Sequence, residues 1–376
     1  MDILVNYVVP FLIVLTILVF VHELGHFLVA RYNNVRVEVF SVGFGAELFG
    51  FHDSHGTRWK FSAIPLGGYV KMFGEGEIIA GEGNDKERNL TEEEKAVSFY
   101  HKRLGQRAAI VFAGPLANFI FAIIVLAGLF FASGAPNLLA GVGTVQSGSA
   151  AEKAGIAAGD KVIMIAGQDV KWFKDLRQIV IENPNTPLSM EVVRNNTQLT
   201  LIATPDVKVV DDGGIEKEVG LLGITPDPEM VEYTNLGPLD AVVMGAERTY
   251  GLTLRILSAV GLMITGSVSK EELGGPLRIA QMSGQMAQNG LASMVFFLAA
   301  LSINLGLINL FPIPMLDGGH LLFYSIEAIM GRPVNEKAQE YSFRFGLILV
   351  LLLMVFVTWN DLIQLRVFEY FIKLVS

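Results

Sequence analysis

Val21-His22-Glu23-Leu24-Gly25-His26 stands near the end of the first apolar stretch of this chain, which runs from Ile3 to about Ala30. Residues four apart lie on one face of a helix, so His22 and His26 can present two imidazoles to one metal ion. Glu23 follows the first histidine, where it can take a proton from a water that the metal activates. Because these groups are expensive to place in a hydrophobic span without a function, the pattern favours a metal site over a chance occurrence.

The first stretch is one of four that are long and apolar enough to cross a bilayer, which takes about 20 residues per helix. The others cover 108–132, about 294–311 and about 345–362. Only 17% of the 376 residues are charged, whereas a typical soluble domain has about 25%. We therefore predict an α-helical polytopic membrane protein with four transmembrane helices. The net charge of −9 argues against nucleic-acid binding, and the absence of cysteine excludes disulfides and Cys-ligated zinc.

The distribution of lysine and arginine predicts the orientation of these spans, because both residues are enriched on the cytoplasmic side. They follow the first span, precede the second and separate the third from the fourth, and none occurs in 1–30, 133–152 or 279–293. The chain is therefore expected to begin outside, with the metal motif toward the cytoplasmic side. Arg366 and Lys373 break the pattern, and we predict that this tail lies on the outer interface.

A catalytic zinc normally has three protein ligands and one open position, so the two histidines need a third partner. The candidate is Asp317 in Pro312-Ile313-Pro314-Met315-Leu316-Asp317-Gly318-Gly319-His320, because the prolines end the third span just before it. The first and third spans both enter from outside, which brings the two motifs to a similar depth. His320 is an alternative ligand, and a plain membrane-exit turn is an alternative interpretation. Asn304 and Asn309 are amides within the span that need hydrogen-bond partners.

A fifth apolar stretch, 241–264, holds Glu247, Arg248 and Arg255 along one helical stripe. This pattern is typical of a helix that lies on the membrane surface. A fifth crossing would also place the two metal motifs on opposite sides of the membrane. We therefore predict a surface helix here.

Between the first two spans, Val35 to Phe73 alternates as strands do and is rich in glycine. We predict a small membrane-associated antiparallel sheet on the cytoplasmic side, whose open edge can hold an unwound substrate segment by strand addition. The candidate substrate-binding glycines are Gly43, Gly45, Gly67 and Gly68. A hairpin without a catalytic role is the alternative. Glu75 to Lys95 is acidic and is expected to be a mobile linker.

The outside segment from about Leu138 to Pro205 has the pattern of a compact α+β domain. A strand follows the glycine loop at Gly141, and a short helix over 149–156 ends in glycine. A helix is expected over Lys174–Ile181, followed by a hairpin of Leu188–Arg194 and Leu199–Thr204 that turns at Asn195-Asn196.

Three motifs together resemble those of the site-2 protease family of intramembrane zinc metalloproteases. They are the His22–His26 pentapeptide, Gly114-Pro115-Leu116-Ala117-Asn118 in the second span, and the segment from Asn304 to His320. By itself the second motif indicates little beyond helix packing. The outside domain looks like a PDZ domain, and with Gly274–Ala280 it resembles the bacterial regulator-of-sigma-E protease branch.

The resemblance implies that His22, His26 and Asp317 bind Zn²⁺, that Glu23 activates the water, and that Asn304 and Asn309 help to hold the unwound substrate. It implies a bacterial inner-membrane enzyme that cuts within transmembrane segments of single-pass proteins. Such substrates are anti-sigma factors, already cut in the periplasm by a site-1 protease, and signal-peptide remnants. The PDZ domain would screen the outer portion of the substrate by size. A single PDZ-like unit is a departure, since the best-known enterobacterial members carry two, and residues 206–235 are too short for a second.

The predicted organisation follows from these assignments. It comprises the first transmembrane helix (1–34), the cytoplasmic-side sheet region and acidic linker (35–100), the second transmembrane helix (101–133), the periplasmic PDZ domain (138–206), a periplasmic or interfacial amphipathic region (207–290), the third transmembrane helix with Leu-Asp-Gly-Gly (291–320), the fourth (340–365) and the tail (366–376).

Two other functions compete with proteolysis. A non-enzymatic membrane adaptor would bind periplasmic tails through its PDZ domain, and its metal would be structural, with four protein ligands. A metal-ion transporter is a further alternative, although a carrier has no need of a glutamate beside the first histidine.

Overall fold

The computed structural model describes residues 4–74, 90–211, 216–266 and 274–364. The predicted tail, with Arg366 and Lys373, and most of the predicted acidic linker lie outside these ranges. The described chain forms two compact units. One is Phe131–Gly237, and the segments before and after it together form the other, called here the membrane unit.

Ten α-helices are present in the described residues, numbered along the chain. They are α1 (Val9–Tyr32, preceded by a π-helical turn at Leu4–Val8), α2 (Glu92–Val97), α3 (Leu104–Ser133), α4 (Ala150–Lys153), α5 (Phe173–Glu182), α6 (Pro238–Ile264), α7 (Pro276–Gln288), α8 (Leu291–Leu310), α9 (Asp317–Met330) and α10 (Glu336–Gln364).

Four helical segments of the described chain are long and apolar enough to span a membrane, which agrees with the predicted number. They are Leu4–Tyr32, Leu104–Ser133, Leu291–Leu310 and Lys337–Gln364. The long helix α6, which contains the fifth apolar stretch, is not among them. Glu247, Arg248 and Arg255 interrupt its apolar sequence. Gly245 of this helix packs closely on α3, where an added Cβ would lie 2.8 Å from the carbonyl oxygen of Ile123.

The predicted segment 291–320 contains two helices, and the break lies at the prolines that were expected to end the third span before Asp317. Helix α8 ends at Leu310, and α9 begins at Asp317 after an extended Leu316. Pro312 and Pro314 cause the break, since proline cannot donate to the helical ladder and disfavours helical geometry before it. The sequence did not predict α9 as a separate helix, because its 14 residues are too few to cross a membrane.

Part of the predicted linker is also helical. Thr91 caps α2 through a capping box, in which its hydroxyl accepts from the Glu94 N–H while the Glu94 carboxylate accepts from the Thr91 N–H. This reciprocal pairing satisfies donors that a helix start leaves free, so a short acidic helix forms where the composition alone indicated disorder.

The sheet region is one long hairpin of β1 (Val37–His52) and β2 (Arg58–Met72) rather than several short strands. Both strands bend, so residues 39–42 of β1 pair with 58–61 on one side and with 68–71 on the other. Farther along, residues 47–52 of β1 pair with 58–62. Residues 68–72 therefore form an edge of this sheet, and no described strand pairs with its outer side.

Aromatic packing holds this sheet against the first and second spans. The ring of Phe40 is fully buried, with Trp59 stacked on it at a centroid distance of 4.3 Å and Phe27 of α1 edge-on at 5.4 Å. Ile110 of α3 belongs to the same core. Full burial of one such side chain contributes about 1.5–3 kcal/mol, so this cluster fixes the hairpin beside the helix that carries the two histidines.

Close helix contacts set the positions of α1 and α8 relative to α3. At Gly25 of α1, an added Cβ would collide with the carbonyl oxygen of Ala113 and lie 2.7 Å from the Cβ of Ala117. At Gly306 of α8, it would lie 3.1 Å from the carbonyl oxygen of Pro115. Such small residues let helix backbones approach each other closely. The turn of α3 around Pro115 therefore contacts both α1 and α8.

The Phe131–Gly237 unit is built from ten strands and two short helices. Its main sheet has the order β6 (Gln168–Asp169), β5 (Lys161–Ile165), β7 (Leu188–Arg194), β8 (Thr197–Ala203). The predicted hairpin turn at Asn195-Asn196 is confirmed, and both residues have positive φ. Helix α5 covers the predicted 174–181 and extends it by one residue at each end.

This unit extends beyond the predicted domain boundaries of 138–206. Its remaining strands are β3 (Ala135–Leu138), β4 (Val142–Val145), β9 (Asp206–Asp211), β10 (Glu216–Leu221), β11 (Ile224–Pro226) and β12 (Val231–Thr234). β11 pairs with β4, and β12 pairs with β3. The segment after 206 therefore returns to the start of the unit, and pairing between such distant strands is not visible in local sequence patterns.

An ion pair between a buried aspartate and a partly exposed arginine ties two parts of this unit together. Arg194 at the end of β7 donates to both carboxylate oxygens of the fully buried Asp160, at 2.6 and 2.7 Å, and the Ala157 N–H also donates to Asp160. Burial alone would raise the pKa of Asp160, but the hydrogen bonds from Arg194 and Ala157 hold that pKa below its ordinary value.

We expect Arg194→Met to destabilise the Phe131–Gly237 unit by about 3 kcal/mol, because it leaves a buried carboxylate without its cation. A depressed carboxyl pKa stabilises the fold above the unfolded pKa near 4, and this contribution is lost as the pH falls through the native value. The deficit of the variant should therefore shrink below about pH 4. Hydrogen exchange of the full chain measures it. Lys153→Met, which removes the exposed pair with Asp206, is the control and should have little effect.

Candidate metal centre

Three predicted ligand side chains come together in the membrane unit. The Nε2 atoms of His22 and His26 lie 3.2 Å apart, and they are 3.1 and 3.6 Å from Oδ2 of Asp317. Both histidines are buried and lie one turn apart on α1. No other group of three or more potential metal-binding side chains is found in the described part of the chain.

The geometry of the chain after α8 brings Asp317 to the two histidines. Met315 has a positive φ of 88°, and Leu316 returns to extended geometry before Asp317 starts α9. Gly318 lies against the end of α8, where a Cβ would collide with the carbonyl oxygens of Leu310 and Phe311. The tight reversal therefore requires glycine directly after the acid, and it turns the carboxylate toward α1.

The side chains present fit a zinc ion. Oδ2 of Asp317 is buried and forms no well-aligned hydrogen bond, although two imidazole nitrogens lie close to it. Burial would raise the pKa of Asp317, but contacts with His22 and His26 hold that pKa below its ordinary value. An ionised oxygen and two imidazole nitrogens form a three-ligand set of the kind found in catalytic zinc sites.

His320, the alternative ligand, is not part of this cluster. Its ring packs on Phe343 of α10, with 5.0 Å between the ring centroids. Burial lowers the pKa of His320, which favours the neutral imidazole. The structure therefore gives this histidine a packing position one turn beyond Asp317.

Glu23 lies between the metal cluster and the edge of the sheet. Its side chain is half-buried, and a Cβ built on Gly68 would be 3.4 Å from the Cγ of Glu23. Gly68 belongs to the edge residues 68–72, so a peptide that paired with this edge would run past the carboxylate.

The other predicted substrate-binding residues are placed as follows. Gly67 precedes the edge, and its φ of 120° is a conformation that favours glycine. Gly43 and Gly45 lie in the bend of β1 and also have positive φ. Asn304 and Asn309 are half-buried on α8. These six residues are not brought into the metal cluster itself.

Helix α3 supplies contacts to both histidines that no local sequence pattern predicts. The Ile110 carbonyl oxygen lies 2.9 Å from Nδ1 of His26, and the Asn118 amide lies 3.0 Å from Nδ1 of His22. Ser302 of α8 in turn donates to the backbone oxygen of Asn118 at 2.9 Å. Gly114 leaves room for both rings, because a Cβ there would lie 2.5 Å from Cε1 of His26 and 2.9 Å from Cε1 of His22. The only local signal was the motif that contains Gly114 and Asn118.

Comparisons with known proteins agree with a zinc-binding cluster of this kind. The family model described as peptidase family M50 matches residues 10–353. A relative from Agrobacterium fabrum, assigned by its name to the zinc metalloproteases, is 44% identical over 365 residues, which cover 96% of this chain and 97% of the relative. A similarly named relative from Rhizobium meliloti is 44% identical over 361 residues, covering 95% of this chain and 96% of the relative.

The regulator of sigma-E protease RseP of Salmonella typhimurium is 34% identical, and the match covers 94% of this chain and 98% of that protein. The alignment extends over 455 positions, more than the 376 residues of this chain, so RseP contains residues that this chain lacks.

Proposed function

Because this chain belongs to peptidase family M50, the site-2 protease family of zinc metalloproteases, we propose that it is an intramembrane endopeptidase. It would hydrolyse peptide bonds within the transmembrane segments of single-pass membrane proteins. The observation that carries the proposal is the buried Asp317 oxygen beside His22 and His26 in a chain with four candidate membrane spans.

His22, His26 and Asp317 would hold the ion, with His22 and His26 binding through Nε2. When bound, zinc supplies Lewis acidity that activates water and polarises the scissile carbonyl. Glu23 accepts a proton from the attacking water and delivers it to the amine nitrogen as the peptide bond breaks. Its half-buried position keeps the carboxylate within reach of a substrate on the sheet edge.

A transmembrane helix hides its carbonyl groups in internal hydrogen bonds, so it must unwind before cleavage. The edge at residues 68–72 offers backbone donors and acceptors that an unwound segment can pair with, and Gly68 lets that segment approach Glu23. Asn304 and Asn309 on α8 offer amides for further substrate carbonyls and N–H groups. Gly43, Gly45 and Gly67 give the hairpin the bends that present this edge.

We propose that the enzyme lies in the bacterial inner membrane with its N-terminus outside and the metal centre toward the cytoplasm, as the distribution of lysine and arginine predicts. The Phe131–Gly237 unit is then periplasmic, and its short strands and two helices support the assignment to a PDZ domain. The similarity to RseP supports anti-sigma factors, cut first by a site-1 protease, as a substrate class, with signal-peptide remnants as a second.

Metal removal tests this proposal directly. Purified full-length protein in detergent is incubated with a model single-pass substrate, and a zinc chelator should abolish cleavage. Zinc should restore it and Mg²⁺ should not, because Mg²⁺ prefers six oxygen ligands. Mass spectrometry of the products should place the cut within the apolar segment. Cleavage that survives chelation, or cuts confined to the water-exposed ends of the substrate, would rule the proposal out.

A further inference from the structure

Each histidine of the metal cluster has a second ring nitrogen that needs a partner. Both rings turn Nε2 toward Asp317, which leaves Nδ1 facing α3. A neutral imidazole that binds a metal through Nε2 carries its proton on Nδ1 and must donate it to an acceptor. His26 has such an acceptor, because the Ile110 carbonyl oxygen lies 2.9 Å from its Nδ1.

His22 faces an amide instead. Nδ2 of Asn118 lies 3.0 Å from Nδ1 of His22, and an amide nitrogen can only donate. A donor that faced Nδ1 would require the ring proton to be on Nε2, the atom that a metal would need. A rotation of about 180° about χ2 of Asn118 places the amide oxygen where the nitrogen was and the nitrogen where the oxygen was. Oδ1 of Asn118 would then accept from a protonated Nδ1.

Ser302 makes the turned arrangement possible. Its hydroxyl donates to the backbone oxygen of Asn118 at 2.9 Å and lies 3.4 Å from the amide group of the same residue. After this rotation, the lone pairs of the Ser302 oxygen can accept from Nδ2. Asn118 and Ser302 are both fully buried, so an unpaired donor would be costly. The ring N–H of His22, one N–H of the Asn118 amide and the Ser302 hydroxyl then each have an acceptor.

We propose that Asn118, supported by Ser302, is a positioning residue that holds His22 in the tautomer that can bind zinc through Nε2. The amide would then turn Oδ1 toward Nδ1 of His22 and accept its proton, while Nδ2 donates to Ser302. This inference rests on the proposed zinc site. An amide suits this role because it offers a donor and an acceptor of almost equal size.

Zinc affinity of the full-length protein in detergent, measured by competition with a chelator, tests the role. Asn118→Leu keeps the size of the side chain but removes both polar atoms, and it should weaken zinc binding about 10–100-fold. Asn118→Asp keeps an acceptor toward Nδ1 and should stay within about tenfold of the wild type. Ser302→Ala should have an intermediate effect. Ser325→Ala, which removes an exposed hydroxyl bonded to its own helix, is the matched control.

Selective ¹⁵N labelling of histidine gives a readout that a packing defect would not produce, and comparison with His22→Gln assigns the signals. With zinc bound, His22 should carry its ring proton on Nδ1 in the wild type and in Asn118→Asp. Equal losses of affinity in Asn118→Leu and Asn118→Asp, or coordination of zinc through Nδ1 of His22, would overturn the inference alone. Wild-type affinity in His22→Ala would overturn the zinc site and the inference together.

Discussion

Glutamine in place of Glu23 should leave zinc bound and reduce peptide cleavage by at least about 100-fold, the lower range of what a general base contributes. Glutamine has nearly the same shape as glutamate, but its amide cannot accept a proton from water at neutral pH. Because Glu23 is not one of the three clustered ligand side chains, the substitution should spare the metal.

The measurement pairs two readouts on one purified preparation, namely zinc content per chain and the rate of cleavage of a model transmembrane substrate. Glu340→Gln is the matched control, since it makes the same chemical change on α10 in an exposed pair with Arg344. Rapid cleavage by Glu23→Gln would contradict the proposed mechanism. Full cellular function of this variant without any cleavage would instead support the adaptor alternative.

Alanine in place of Gly114 should weaken zinc binding by at least about 100-fold and abolish activity with it. Its Cβ would collide with Nε2 of His26 and lie 2.9 Å from Cε1 of His22, so both rings must leave their positions. Displacement of the ligands themselves should exceed the 10–100-fold effect of losing a supporting contact. The added group is a single methyl, and the loss comes from its position.

Gly128→Ala is the control for this prediction. It makes the same substitution on the same helix, where an added Cβ meets nothing within 4 Å. Alanine has the higher helix propensity, so this variant should be neutral or slightly stabilised. Chelator competition measures zinc affinity in both variants, and thermal unfolding shows whether each folds. Wild-type affinity in Gly114→Ala would mean that the ion is not held by the two Nε2 atoms at this position.

Parts of the fold were predictable because their signals are local. The four spans follow from long apolar runs, since a helix must satisfy its own backbone in lipid. The hairpin turn at Asn195-Asn196 follows from residues that tolerate positive φ. In contrast, the pairing of β11 with β4 leaves no comparable local pattern, because it joins segments that are far apart in the chain.

The residues of the metal centre also fall into those with a local sequence signal and those without one. His22 and His26 are paired by helical periodicity alone, and Asp317 could be proposed because two prolines and two glycines mark a break beside the membrane exit. Asn118 and Gly114 were visible only as members of an apolar helix motif. Whether they face a histidine, lipid or another helix depends on the rotation of α3 about its axis. Close contacts at Gly25 and Gly306 set that rotation.

The sequence by itself determined the class of protein, its four spans and the two histidines with their neighbouring glutamate, since each depends on composition or on residues within one helical turn. Only the tertiary structure decided how the site is completed. It brought Asp317 to α1, aligned the Ile110 carbonyl and the Asn118 amide with the two Nδ1 atoms, and set the edge of the sheet beside Glu23. Those arrangements arise from the packing of helices and strands that are distant in sequence, where a rotation or register shift of one residue would change every contact.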